Sequence, residues 1–358
     1  MAKPVFVIAE AGVNHNGSVE LALQLVDVAA EAGADAVKFQ TFKADQLATA
    51  QAAKADYQVS NTGQAGSQRD MLRRLELTPQ HHAALLARCR QRGIGFMSTA
   101  FDADSLAMLA PMGMPAIKIP SGDITCAPLL LQAARLRQRL IVSTGMCTLS
   151  DIEQALGVIA FGLLGHASPS GRADFEAAFC SAAGRAALAG HVTLLHCVTQ
   201  YPAPPASVHL RAMDTMALAF GLPVGYSDHT LGIEVSIAAV ARGATVIEKH
   251  FTLGRHMAGP DHAASLEPAE LKHLVSAIRN VEQALGSQLK QPAEQEAGNR
   301  VIARRSVVAA RAIRQGELFT PDMLACKRPA GGISPMDLWA LLGRASRRDY
   351  LPDQRIEP

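Results

Sequence analysis

Cysteine pairs at metal or redox spacing are missing from this sequence. Its six cysteines, Cys89, Cys126, Cys147, Cys180, Cys197 and Cys326, contain no CxxC and no tight framework. That sets aside a zinc-cysteine site and predicts reduced thiols rather than disulfides. An excess of one charge is missing as well: 34 Lys and Arg stand against 32 Asp and Glu, with no long single-sign run. Nucleic acid is therefore not expected as the main partner, and any basic site must be local. Long hydrophobic runs are also lacking. Val5–Ala9 is stopped by Glu10, too short for a signal peptide or a membrane span, so the expectation is a cytoplasmic protein with no membrane partner. Nor does a GxGxxG follow this first apolar run, which removes the usual sign of an open, doubly wound nucleotide-binding sheet.

What is present is ample apolar material, 49% of 358 residues, enough for one large domain and a small one. Eight short apolar runs recur: Val5–Ala9, Ala36–Gln40, Gly95–Thr99, Ala116–Pro120, Leu140–Thr144, Val192–Cys197, Pro223–Ser227 and Thr245–His250. Segments with helical periodicity lie between them, among them Ser18–Ala32, Pro79–Arg92 and Pro268–Leu285, several opened by Ser, Thr or Pro. This alternation predicts a closed (β/α)8 barrel, the TIM fold, over residues 1–285. Residues 286–299 read as a polar linker and 300–358 as a small β-rich module with runs at Ser306–Ala310 and Leu324–Arg328. Two stretches interrupt the pattern. Residues 45–78, with Lys54, Tyr57, Asn61 and Gln68, form a long polar connection expected to serve as a lid. Residues 162–190, rich in Ala, Gly and Ser, read as an insertion extending the fifth helix.

In a barrel, functional groups come from the carboxyl ends of the strands. Those ends carry Glu10, Lys38, Gln40, Thr99, Lys118, Ser121, Ser143, Thr144, Thr199, Tyr201, Ser227, His229 and His250. Any one of them alone reads most simply as a turn cap or a solvated group, but polar residues at nearly every end converge on one concave site. Lys38 and Lys118, with hydroxyls from Thr99, Ser121, Ser143 and Ser227, suit an oxyanion with several acceptor oxygens, best a phosphate ester. His229 and His250 lie 250 − 229 = 21 residues apart, one strand-helix-strand unit, which brings both to the same edge of the sheet. They read as a divalent-metal pair or as two separately bonded loop histidines. An anion site beside a metal-polarised carbonyl indicates carbon–carbon bond formation or cleavage. His196 and His262 read as structural or supporting residues.

The motifs AEAGVNHNGS (Ala9–Ser18), VKFQTFKAD (Val37–Asp45), STAFD (Ser98–Asp102), KIPSGD (Lys118–Asp123), STGM (Ser143–Met146), YSDHT (Tyr226–Thr230), EKHFTL (Glu248–Leu253), GPDHAASLEP (Gly259–Pro268) and RRSVVA (Arg304–Ala309) together resemble the sialic acid synthase family. This family includes N-acetylneuraminate and legionaminate synthases. The C-terminal module is similar to the family's antifreeze-like SAF domain. The resemblance implies condensation of phosphoenolpyruvate with an N-acylated mannosamine-type sugar. It implies Mn2+ or Mg2+ on His229 and His250, and phosphoenolpyruvate on Lys38, Thr99, Lys118, Ser121, Ser143, Thr199 and Ser227. It further implies sugar contacts from Gln40, Asp123 and Tyr201, acidic catalytic residues at Glu10 and Asp261, and Arg305 reaching the sugar of a neighbouring subunit.

Four departures accompany the match, one of them the 162–190 insertion, which has no counterpart in the family. Thr199-Gln200 replaces the usual residues before the Tyr-Pro pair, Asp123 stands where Glu is common, and Phe39 occupies a position that is His in one subgroup. A domain-swapped homodimer, each small module covering its partner's barrel mouth, follows as the expected assembly. The favoured product is N-acetylneuraminate, with N,N'-diacetyllegionaminate as the alternative. A metal-dependent aldolase and a catalytically silent sugar-binding protein are the competing readings.

Overall fold

The computed structural model describes residues 3–55, 58, 59, 61 and 67–357. Tyr57 lies outside the described residues. Two compact units make up the chain, Met1–Gly286 and Ser287–Pro358.

In the first unit, β1 (Phe6–Gly12), β2 (Ala36–Thr41), β3 (Gly95–Ala100), β4 (Ile117–Ile119), β5 (Leu140–Ser143), β6 (Val192–Cys197), β7 (Val224–Asp228) and β8 (Val246–His250) form a closed barrel. Neighbours pair in parallel, and β8 returns to β1 through Phe6↔Val246 to Glu10↔His250. The helices are α1 (Val19–Ala32), α2 (Ala44–Leu47), α3 (Gln68–Arg73), α4 (Pro79–Arg92), α5 (Ala103–Leu109), α6 (Ala127–Arg135), α7 (Leu149–Leu164), α8 (Arg172–Cys180), α9 (Ala182–His191), α10 (Ala212–Phe220), α11 (Glu234–Ala241) and α12 (Pro268–Leu285). Their starts are written locally. Thr78 accepts from the His81 N–H with Pro79 in the first turn of α4, and Thr148 and Asp151 form a reciprocal capping box at α7. No helix among the described residues is long and apolar enough to cross a membrane, and the six cysteines form no disulfide.

Strand alternation builds the interior in layers. Ile8, Ala36, Met97, Ala116, Ile141, Leu195 and Val246 are buried together as an apolar floor. Two residues further along the same strands, the inward positions become Glu10, Lys38, Thr99, Lys118, Ser143, Cys197 and Glu248, all buried except for a trace. A polar layer therefore sits directly on the apolar one. Outward residues such as Val37, Phe39, Ile117, Ile119, Leu194 and Tyr226 join the larger core beneath the helices.

The 162–190 stretch departs from expectation. The fifth barrel helix does not run on: α7 stops at Gly165, whose φ of 78° caps it in the left-handed region. Two separate helices, α8 and α9, follow. Gly157 lets α8 pack close, since a Cβ there would lie 2.8 Å from the Phe175 carbonyl oxygen. In the second unit β9 (Ser306–Ala309) pairs antiparallel with β10 (Leu324–Lys327) around a core of Val307, Ile313, Phe319, Tyr350 and Ile356. A short helix, α13 (Ala297–Ala303), straddles the expected boundary between linker and module.

Candidate active site

The polar layer forms the base of a cavity of about 210 Å³ at the carboxyl end of the barrel. Register assembles it: Glu10 is opposite Lys38 on one side and His250 on the other, and Ser227 is opposite Glu248. Lys38 Nζ lies 2.7 Å from Glu10 Oε2 and 3.5 Å from Glu248 Oε2, and donates to Thr99 Oγ1 at 2.8 Å. Lys118 Nζ is held more loosely, 3.5 Å from Glu248 Oε1 and 3.4 Å from the Ile119 carbonyl oxygen. Ser227 Oγ donates to Glu248 Oε1 at 2.9 Å, and Gln40 Nε2 to Glu10 Oε1 at 3.4 Å. Two ammonium groups thus share two buried carboxylates, an arrangement that burial tolerates only because each charge is matched.

The two carboxylates are driven apart. Burial raises Glu10 to about 7, Lys38 only partly offsetting it and Glu248 adding to it. Burial also pushes Glu248 upward, but Lys118 and Lys38 outweigh it and hold this group at about 2. Glu248 is thus a fixed anion, while Glu10 exchanges a proton near neutrality, the property asked of an acid–base group. Lys118 falls below its usual range through burial, partly countered by Glu248. Asp261, also lining the cavity, is raised to about 6 by burial.

Above this layer the imidazoles of His229 and His250 stand with ring centroids 5.5 Å apart, and the Tyr201 ring packs against His229 at 4.0 Å, tilted by 35°. His229 Nδ1 donates to the Val198 carbonyl oxygen at 2.7 Å, so in the neutral ring Nε2 is the lone-pair nitrogen. Burial, reinforced by His229 and Lys38, pushes His250 well below the usual imidazole range, so it stays neutral. Its Nδ1 is buried without a hydrogen-bond partner. Glycine suits the position beside this ring: Gly12 has φ +53°, and a Cβ there would crowd His250 Cε1 at 3.2 Å. Among the described residues no group of three or more His, Cys, Asp or Glu is arranged to hold a metal ion. The donor set is therefore two imidazole nitrogens, one visibly unused. Burial lowers the His229 pKa, but Cys197 and the Val198 carbonyl oxygen outweigh it and leave it above the usual imidazole range. A divalent cation, whose other positions would face the cavity, would thus take the place of a proton on His229.

Of the residues expected from sequence, Glu10, Lys38, Gln40, Thr99, Lys118, Ser121, Ser143, Thr199, Tyr201, Ser227, His229, His250 and Asp261 line one cavity. Ser143 Oγ is buried and unpaired there. Gly145 N donates to Ser121 Oγ at 2.9 Å, and a Cβ on Gly145 would collide with Thr199 Oγ1 at 2.2 Å, which explains the glycine in this turn. Thr144 turns away, donating to the Leu195 carbonyl oxygen at 2.9 Å. His196 and His262 bond to the Val208 carbonyl oxygen and to Thr252 and Asn16 respectively. Of the long 45–78 connection, Gln58, Met71, Leu72 and Leu75 wall the cavity, and Asn61 Nδ2 donates to the Pro260 carbonyl oxygen at 2.7 Å. Arg305 belongs to the second unit, where it is exposed just before β9. Glu248 and Cys197 are the site residues that reading the strand ends missed. Each lies two positions after a floor residue, Val246 and Leu195, so strand periodicity carried the signal.

Asp123 does not line the cavity. It is half-buried in the turn after β4, where its backbone N–H bonds to the Pro120 carbonyl oxygen at 3.1 Å, and burial, with nearby Asp102, raises its carboxyl to about 6. A carboxyl whose folded pKa exceeds its unfolded value near 3.8 costs nothing below that value and its full penalty above about 6. Asp123→Asn is therefore expected to raise the Tm by about 2–4 °C at pH 8, a gain of ~1 kcal/mol after allowance for partial exposure. The gain should vanish at pH 4. Thermal scans of both proteins against pH check this, and a pH-independent difference would refute the charge-burial account.

A closed barrel whose mouth joins an oxyanion cradle to two imidazoles defines an enzyme-type site on a (β/α)8 scaffold. The chain belongs to the NeuB family, whose model matches residues 25–290, and a SAF domain matches residues 304–357. It is 45% identical to an N,N'-diacetyllegionaminic acid synthase of Campylobacter jejuni over 99% of both chains. It is 32% identical to the N-acetylneuraminate-9-phosphate synthase of Homo sapiens, covering 95% of this chain and 88% of that one. Among solved structures it resembles an N-acetylneuraminic acid synthetase from Leptospira borgpetersenii in complex with citrate, at TM-score 0.67 and 33% identity, covering 83% of this chain and 90% of that one.

Proposed function

We propose that this NeuB-family enzyme condenses phosphoenolpyruvate with 2,4-diacetamido-2,4,6-trideoxymannose and water to give N,N'-diacetyllegionaminate and phosphate. The observation that carries the choice of sugar is the wall of the cavity. Val13, Met71, Leu72, Leu75 and Phe101 line one side of it, and Val13, Met71 and Leu75 belong to an apolar cluster with Phe42. This apolar stretch, with Gln58 the polar side chain that the same connection adds to the lining, suits the methyl group and acetamido methyl of this sugar. It would leave the extra hydroxyls of N-acetylmannosamine unpaired. The greater identity to the legionaminic acid synthase than to the N-acetylneuraminate-9-phosphate synthase supports the same choice. The ranking of the two sugars expected from sequence is thereby reversed.

Lys38 and Lys118 would bind the anionic groups of phosphoenolpyruvate, with hydroxyls from Thr99, Ser121, Ser143, Thr199 and Ser227 completing the cradle. His229 and His250 would hold Mn2+ or Mg2+, which supplies polarisation of the sugar's aldehyde oxygen. The cradle fixes the enol face so that carbon 3 attacks the aldehyde carbon. Water then adds at carbon 2 and phosphate leaves, giving the 2-keto acid. Glu10, near neutral pKa, and Asp261 are the groups placed to take the proton of that water.

The test measures phosphate release from phosphoenolpyruvate with each sugar in turn. A kcat/KM roughly tenfold or more in favour of the diacetamido sugar is expected. Preference for N-acetylmannosamine would restore N-acetylneuraminate, and sugar binding without phosphate release would leave only a binding protein.

A further inference from the structure

We infer that the buried Asp228–Lys249 pair, on the outer face of β7 and β8, is a register clamp that positions the two metal-binding imidazoles. Asp228 and Lys249 are direct partners across the two strands. Each immediately precedes one of the histidines, so alternation turns the pair outward while His229 and His250 face the cavity. Both side chains are sealed from solvent, with Lys249 Nζ 3.0 Å from Asp228 Oδ2.

Their remaining bonds all run to the backbone or side chains that frame the histidines. Asp228 Oδ1 accepts from the Thr230 N–H and Oγ1, each at 2.8 Å, and from the Tyr226 hydroxyl at 3.3 Å. Asp228 Oδ2 accepts from Ser236 Oγ at 2.6 Å, in α11. Lys249 Nζ donates to the Thr230 carbonyl oxygen. His229 therefore lies between two residues fixed by one carboxylate. His250 follows the lysine bonded to that carboxylate, and its own carbonyl oxygen accepts from the Leu266 N–H at 2.9 Å.

Stability alone does not explain the arrangement. A buried ion pair gives back in Coulomb energy little more than its desolvation costs, and apolar replacements of similar volume commonly do as well. What such a pair supplies that packing does not is one fixed geometry. Two imidazoles with no third protein ligand among the described residues need it, because their separation depends on the strands that carry them, the Val198 carbonyl oxygen and Tyr201 fixing only the His229 ring.

The inference rests on the metal reading, and the experiment separates the two. Mn2+ affinity is measured on the full chain by electron paramagnetic resonance of the free aquo ion, alongside thermal scans. The wild type is expected to bind Mn2+ and His250→Ala to lose it; no binding by the wild type sinks the metal reading and this inference with it. Asp228→Asn/Lys249→Met, which removes both charges together, is expected to fold and to bind Mn2+ roughly 10-fold or more weakly. Asp35→Asn breaks a pair at the opposite end of the barrel, where Asp35 Oδ2 accepts from Arg279 and from the Val7 N–H, each at 2.7 Å. That variant should lower the Tm without changing Mn2+ affinity. Unchanged affinity in the folded double variant, beside a wild type that binds, overturns the clamp alone. If the double variant does not fold, Ser236→Ala, which keeps both charges, decides in its place: a loss of about threefold supports the clamp and no loss overturns it.

Discussion

His250→Ala is expected to lower sugar-dependent phosphate release by at least about 10³-fold, the scale of several kcal/mol of carbonyl polarisation. The fold should survive. His250 contributes a neutral ring with an unpartnered Nδ1, so its removal deletes a buried polar atom as well as some packing, and the net cost should stay within about 1–2 kcal/mol. Steady-state rates at saturating Mn2+, with circular dichroism as the fold control, make the comparison. Turnover near the wild-type level would remove the two-histidine site from the mechanism.

Next in size is a split between the two lysines. Lys118 is bound only at 3.5 Å by Glu248 and at 3.4 Å by a carbonyl oxygen, so it is the cation more available to an incoming anion. Lys118→Ala should raise the KM for phosphoenolpyruvate about 10–100-fold, the worth of a charge-assisted contact, with a small change in Tm. Lys38 is already shared between Glu10 and Glu248. Its removal strands two carboxylates beside one cation, and the cost of ~3–5 kcal/mol for breaking a buried pair lowers the Tm by roughly 5–10 °C besides weakening phosphoenolpyruvate. Equal Tm losses in the two variants would contradict the unequal sharing of charge, and wild-type KM values in both would show that neither lysine meets the ligand.

The barrel was legible because short strands buried on both faces read as largely apolar runs, broken mainly near their carboxyl ends. All eight runs fall within three residues of the observed strand limits. The largest discrepancy is at β1, which continues through Glu10 to Gly12. A carboxylate looks like the end of a strand, and nothing local reveals that Lys38, a neighbour across the sheet, makes its burial tolerable. Glu248 was hidden too: in the sequence it falls within the run Thr245–His250 with no role assigned, whereas it is the anion that bridges both lysines. Loop geometry was the least legible. Asp123 falls in the KIPSGD motif, yet its turn carries it out of the cavity lining. The stop at Gly165 was hidden in an Ala- and Gly-rich stretch whose weak periodicity gives no contrast between helix and break.

The layering of floor and polar residues has one more consequence, for how this protein can change. Along β2 the residues alternate between outward Val37 and Phe39, packed beneath the helices, and inward Ala36, Lys38 and Gln40. Both faces of the strand are committed, one to core and one to chemistry, and a slip of one position would exchange them. The strands therefore hold no spare position at which a new substrate could be accommodated without loss of stability or reaction. Variation in sugar must be absorbed by the connections, above all residues 45–78, whose Met71, Leu72 and Leu75 meet the cavity from outside the barrel sheet. Divergence within this architecture is thus channelled: the reaction is inherited with the strands, and the choice of sugar is free to drift with the loops.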